Sequence, residues 1–171
     1  MKTKKIAETL DKFGSIGTDE QIKEAVAKLL NEAAKKNEQA EVYKELYGYV
    51  DLTSLTSLDT KEQIWKLTEE VNKFDGSNPE IPNVAAICTY PIFTEIVKQA
   101  LTADEVKIAA VAACFPSSQT FIEVKIAEIA MAVMEGADEI DVVLNLGLFM
   151  EEEYEELCIE LGASILVATA S

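Results

Sequence analysis

The sequence contains no histidine in its 171 residues. The commonest general base and metal ligand are therefore missing. Serine–histidine–aspartate and cysteine–histidine catalysis within one chain is excluded. Positive charge is also scarce: 15 lysines and arginines face 31 aspartates and glutamates, a net charge of −16. No basic run stands out beyond Lys2, Lys4 and Lys5. That balance argues against a nucleic-acid partner and against an anionic membrane surface. A phosphorylated ligand would need a local cluster of cations or backbone N–H groups. Cysteine is sparse. Cys88, Cys114 and Cys158 form no CxxC pair, which suggests reduced thiols and a cytoplasmic location. No segment reaches the roughly 18 apolar residues of a membrane span. The start, MKTKKIAETLDKFG, lacks the apolar core of a secretion signal. The segment DLTSLTSLD after the first expected strand has no glycine-rich phosphate loop.

What is present is an ordinary globular mixture, 49% hydrophobic and 27% charged, enough to bury a core. Residues 1–45 read as a helical extension. Thr18 and Gln21 fit a capping box. Ile22, Val26, Leu29 and Ala33 follow at helical spacing, one apolar face. Gly14 and Gly17 separate this helix from a shorter one expected over about 3–13. From 46 to 171 the pattern alternates. Strands are expected at 47–51, 84–88, 106–114 and 139–144, apolar almost throughout, as suits parallel strands covered on both faces. Helices are expected at 60–74, 91–101 and 118–135, the last closed by Gly136. Asp51, Cys88, Cys114 and Asp141 follow one another at 37, 26 and 27 residues. A complete eight-unit barrel averages roughly 31 residues per unit. The expectation is an α/β fold of the TIM (β/α)8-barrel type, truncated to about four β/α units. The helical extension (1–45) would precede a partial barrel domain (46–171). A doubly wound open sheet is the competing architecture.

In parallel barrels, chemistry sits at the C-terminal ends of the strands. Asp51, Thr53, Cys88, Asp141 and Asn145 fall near those ends. An aspartate inside an apolar strand costs free energy unless it is paired, so Asp141 is a candidate acid or base. It could equally be a solvated strand-edge carboxylate. Asp51 could be catalytic or could cap the turn after it, and Cys88 could be a small buried hydrophobe. Lys125, in mid-helix, reads as a solvated or snorkelling lysine. Lys107 sits at the start of its strand, the wrong end for chemistry.

Four segments together resemble deoxyribose-phosphate aldolase: YVDLTSLT at 49–56, VAAICTYP at 84–91, CFPSSQTFIEVKIAE at 114–128 and GADEIDVVLNLG at 136–147. The resemblance spans about residues 47 to 158. It implies reversible cleavage of 2-deoxy-D-ribose 5-phosphate to acetaldehyde and D-glyceraldehyde 3-phosphate, with no metal or other cofactor. It assigns proton transfer to Asp141 and places Asp51, Thr53 and Cys88 in the substrate pocket. It also implies a Schiff-base lysine on the sixth strand and a helper lysine on the seventh. Neither has a counterpart here, and no lysine follows Lys125. The chain alone is therefore expected to be inactive. The tail segment Gly162-Ala163-Ser164 resembles either the family's phosphate-binding strand segment or a helix before the sixth strand. The alternative function is a non-catalytic half-barrel for assembly or interaction. Expected partners are a small phosphorylated sugar and further copies of the chain.

Overall fold

The protein is described by a computed structural model covering Thr9, Lys12 and residues 17–169. The short helix expected over 3–13 lies, apart from Thr9 and Lys12, outside the described residues.

Helix α1, Asp19–Leu29, starts with the expected capping box: Thr18 and Gln21 satisfy each other's backbone N–H groups. It runs on through a π-helical turn, Leu30–Ala34, and a last turn, Lys35–Asn37. Helix α2, Ala40–Tyr47, leads into strand β1, Asp51–Ser54. This corrects the first expected strand. Tyr47 closes a helix, and Asp51 opens the strand instead of ending it. Gly48 N–H is taken by the carbonyls of Glu45 and Leu46, so the chain is still helical there. Within that run Tyr47 packs, its ring meeting Phe74 at 5.4 Å, while Tyr49 and Val50 are exposed.

The remaining elements alternate. They are α3 (Lys61–Phe74), β2 (Ala86–Thr89), a 3₁₀ turn (Pro91–Phe93) into α4 (Thr94–Ala100), and β3 (Lys107–Ala112). Then come α5 (Ile122–Glu135), β4 (Glu139–Val142), α6 (Leu146–Met150) and α7 (Tyr154–Ala168). The four strands form one parallel sheet in the order β1-β2-β3-β4. Each strand pairs with the strand before it, and a helix makes each crossover.

One sheet face is covered by helices. Ile87 and Ile108 pack there with Ile64, Val71, Phe93 and Val97. Burying each such side chain contributes about 1.5–3 kcal/mol. The other face presents Ala86, Cys88, Ala109 and Val111, bordered by Leu55, Tyr90 and Phe115. Among the described residues no helix is long and apolar enough to cross a membrane.

Three further expectations change. Helix α5 begins at Ile122, four residues later than expected, because Ser118 takes a left-handed backbone (φ 57°) that no helix accepts. Lys125 is not solvated: it is 1% exposed, and its ammonium donates to Ser118 Oγ at 2.9 Å and to Glu160 Oε2 at 2.7 Å. Gly162-Ala163-Ser164 lies inside α7, so the helix alternative holds and the strand alternative does not. Ser164 Oγ donates to the carbonyl of Glu160 within that helix.

Candidate active site

Side chains alternate across a strand, and in-register parallel neighbours share a face. The pairings Thr53 with Cys88, Cys88 with Ala109, Ala109 with Glu139, and Val111 with Asp141 therefore place these residues on the face away from the helices. Asp51 joins them two residues before Thr53. The face carries four polar groups around one buried thiol: Asp51, Thr53, Glu139 and Asp141 are exposed, and Cys88 is buried.

Cys88 Sγ donates to Asp141 Oδ2 at 3.7 Å across the sheet. Burial pushes the thiol up to about 11, and the charge of Asp141, its hydrogen bond and the charge of Asp51 push the same way. The Thr53 hydroxyl opposes them. At neutral pH the sulfur is therefore a protonated donor and not a nucleophile. Thr53 Oγ1 also donates to the Asp51 carbonyl at 2.8 Å, which fixes its rotamer beside the thiol.

The loops at the C-terminal ends of the strands are tied down. After β1, Asp59 accepts from the Ser54 hydroxyl at 2.8 Å and from the N–H and hydroxyl of Thr56 at 3.0 Å each. Burial works to raise the Asp59 carboxyl, but these donors outweigh it and hold the group below its usual range. Tyr90 OH bridges to the Leu55 carbonyl and joins the first two loops. After β3, Ala113, Cys114 and Ser118 all have positive φ. Two side chains of α5 hold this strained loop: Glu128 accepts from Cys114 N–H at 2.9 Å, and Lys125 donates to Ser118. After β4, Asn145 caps α6 by accepting from Leu148 N–H.

The structure thus brings Asp51, Thr53, Cys88 and Asp141 onto one face, while Asn145 serves a helix cap. Sequence reasoning missed Asp59 and the anchoring roles of Lys125 and Glu128. The SLTSLD turn was a visible cue for Asp59; the other two lie on a helix and only the fold shows what they reach. Lys107 shares the open face, but Val111 is the register partner of Asp141, four residues further along β3. That separation is about 13 Å along the strand. Among the described residues no group of three or more metal-ligating side chains is assembled.

No family model matches the chain. It is 36% identical over 111 residues to the deoxyribose-phosphate aldolase of Aciduliprofundum boonei, covering 65% of this chain and 46% of that protein. A solved protein from Coccidioides immitis, provisionally assigned as a deoxyribose-phosphate aldolase, superposes with a TM-score of 0.64 at 25% identity over 73% of this chain and 46% of that one. The aldolase QR15 superposes with a TM-score of 0.60 at 26% identity, covering 74% and 52%. The chain spans about half the length of the curated relatives it matches. Its parallel sheet and crossover helices are part of an α/β barrel of the TIM type. Within that class, the chain is related in sequence and fold to the deoxyribose-phosphate aldolases.

Proposed function

We propose that this chain supplies the substrate-facing part of a deoxyribose-phosphate aldolase site. The reaction is the reversible cleavage of 2-deoxy-D-ribose 5-phosphate to acetaldehyde and D-glyceraldehyde 3-phosphate. The observation that carries this reading is the cluster on the open face, with the Cys88 thiol 3.7 Å from the Asp141 carboxylate. In this proposal Asp141 moves protons at the reacting carbon and oxygen, a task for a carboxylate held in place by a neighbouring donor. Asp51 and Thr53 receive sugar hydroxyls, and Cys88 fills the floor of the pocket.

Imine chemistry needs a neutral amine at the reacting carbonyl. The two nearby lysines offer none: Lys125 is engaged by Ser118 and Glu160, and Lys107 lies far along its strand from Asp141. We therefore propose that the 171-residue chain by itself binds the sugar phosphate without turning it over. Incubation with 2-deoxyribose 5-phosphate and borohydride, followed by intact mass spectrometry, tests this. The expected result is no reduced adduct, with saturable shifts of the Thr53 and Cys88 NMR signals. A trapped adduct would overturn the claim of inactivity.

The second reading is a non-catalytic half-barrel for assembly. Among the described residues the outer edges of β1 and β4 have no strand partner, which favours it. Absence of any sugar-phosphate binding would leave this second reading standing.

A further inference from the structure

Among the described residues, Lys125 is the one charged side chain that is buried. Taking an ammonium out of water costs free energy that an apolar side chain of similar size would not incur. The Lys125 ammonium donates to Glu160 Oε2 on α7 at 2.7 Å and to Ser118 Oγ at 2.9 Å. One buried group thus ties α5, α7 and the loop after β3 together.

That loop needs holding. Ala113, Cys114 and Ser118 have φ of 61°, 61° and 57°, a left-handed backbone that residues other than glycine keep only where their surroundings impose it. The loop's own bonds close only a turn: the N–H groups of Ser117 and Ser118 donate to the Cys114 carbonyl at 3.1 and 2.9 Å. Helix α5 grips both ends of that turn. Glu128 accepts from Cys114 N–H at 2.9 Å, and Lys125 reaches Ser118. Lys125 and Glu128 are three residues apart and so share one face of the helix. Phe115 sits between the two gripped ends. Its side chain packs against Ala86, Cys88, Ala109 and Val111, the floor of the open face.

The geometry points to Lys125 as a positioning residue for the open face. It acts through Ser118, holding the loop after β3 in the form that seats Phe115 on the floor containing Cys88. Glu160 holds the ammonium in turn, so the docking of α7 on α5 is felt at the loop. The role bears on catalysis only if the open face is the substrate side, and to that extent it rests on the function proposed above. The seating of Phe115 itself can be followed with no sugar present.

Cys88 is 3% exposed, so its alkylation under native conditions reports how often the floor is uncovered. Iodoacetamide labelling of the full chain at one fixed pH compares four variants with the wild type, and peptide mapping separates Cys88 from Cys114 and Cys158. Ser118→Ala removes the loop end of the contact and leaves the Lys125–Glu160 pair. Lys125→Met with Glu160→Leu removes the contact without leaving a charge unpaired, so stability in urea should stay near that of the wild type. Both are expected to speed Cys88 labelling about tenfold, the factor that loss of one such hydrogen bond gives. Combining all three substitutions should add nothing further, because both routes break the same contact. Gly136→Ala, which loosens the far end of α5, should leave Cys88 at the wild-type rate. Fast Cys88 labelling in a Lys125→Met, Glu160→Leu protein of normal stability is the signature of positioning, since a merely structural role would be restored with the stability. Unchanged labelling in Ser118→Ala overturns the inference. So does equal acceleration in Gly136→Ala, which would trace access to general loosening. Acceleration that multiplies in the combined variant overturns the route through Ser118.

Discussion

Cys88 and Lys125 show how differently two single side chains can be read before the fold is known. Cys88 lies in an apolar strand, and its burial follows from that setting; what could not be read was its neighbour. Asp141 is 53 residues away, and only the sheet register brings its carboxylate within 3.7 Å. The consequence is measurable. The thiol should titrate near 11, so alkylation of Cys88 should remain slow until strongly alkaline pH. Asp141→Asn should lower that titration point without returning it to the ordinary 9.0, because burial is the larger cause. The folded value lies above the ordinary one. The stability Cys88 lends is therefore fully present below about pH 9 and is lost as pH rises through about 11. Lys125 misled for a physical reason: a lysine inside an amphipathic stretch gives no hint of a carboxylate 35 residues ahead. Removing one partner of this buried pair, as in Lys125→Met, should cost about 3 kcal/mol in urea unfolding. Replacing both, Lys125→Met with Glu160→Leu, should recover most of that loss, since no charge is then left unpaired.

At the scale of elements, three of the four strands and the ends of two helices were legible, while the helices Leu146–Met150 and Tyr154–Ala168 were not. Thr60 and Gly136 announce the start of α3 and the end of α5 through capping chemistry that local sequence encodes fully. Thr60→Ala should cost about 1 kcal/mol, because the Gln63 N–H loses its acceptor. Gly136 has φ +107°, and an added Cβ would also strike the Lys98 side chain. Gly136→Ala should therefore destabilise by about 1 kcal/mol or more. Repeating it in a Lys98→Ala background should recover only the steric part; full recovery would show that the backbone angle is not the cause. The start of β1 was misread because aromatic and β-branched residues read as a strand, although Tyr47 closes α2 and Tyr49 and Val50 are exposed linker residues. The late start of α5 reflects Ser118, whose left-handed backbone lies in a turn closed by its N–H on the Cys114 carbonyl, with its hydroxyl accepting from Lys125.

For the whole molecule, parallel β/α alternation was legible from the spacing of four apolar runs, and the positions of candidate residues on one face follow from the register. Which groups would face each other across the open side was not legible, because that depends on strand pairing over long separations. The net charge of −16 was legible outright, and it carries a prediction. Calorimetry should show the melting temperature rising as salt is raised from low levels to about 0.5 M, because screening relieves self-repulsion. The exposed pairs Lys44–Glu80, Lys66–Glu62 and Lys73–Glu70 should lose little over the same range, since such pairs contribute little at the surface. A flat or falling melting temperature would show that specific ion pairs outweigh the net field.

The strand order β1-β2-β3-β4 repeats the order of synthesis. Every pairing therefore joins a strand to the one the ribosome released just before it, across a single crossover helix. Such a sheet can be laid down vectorially during translation, each new strand finding its template already in place. Its growing margin is always the most recent strand, and among the described residues no strand lies beyond the outer edge of β4.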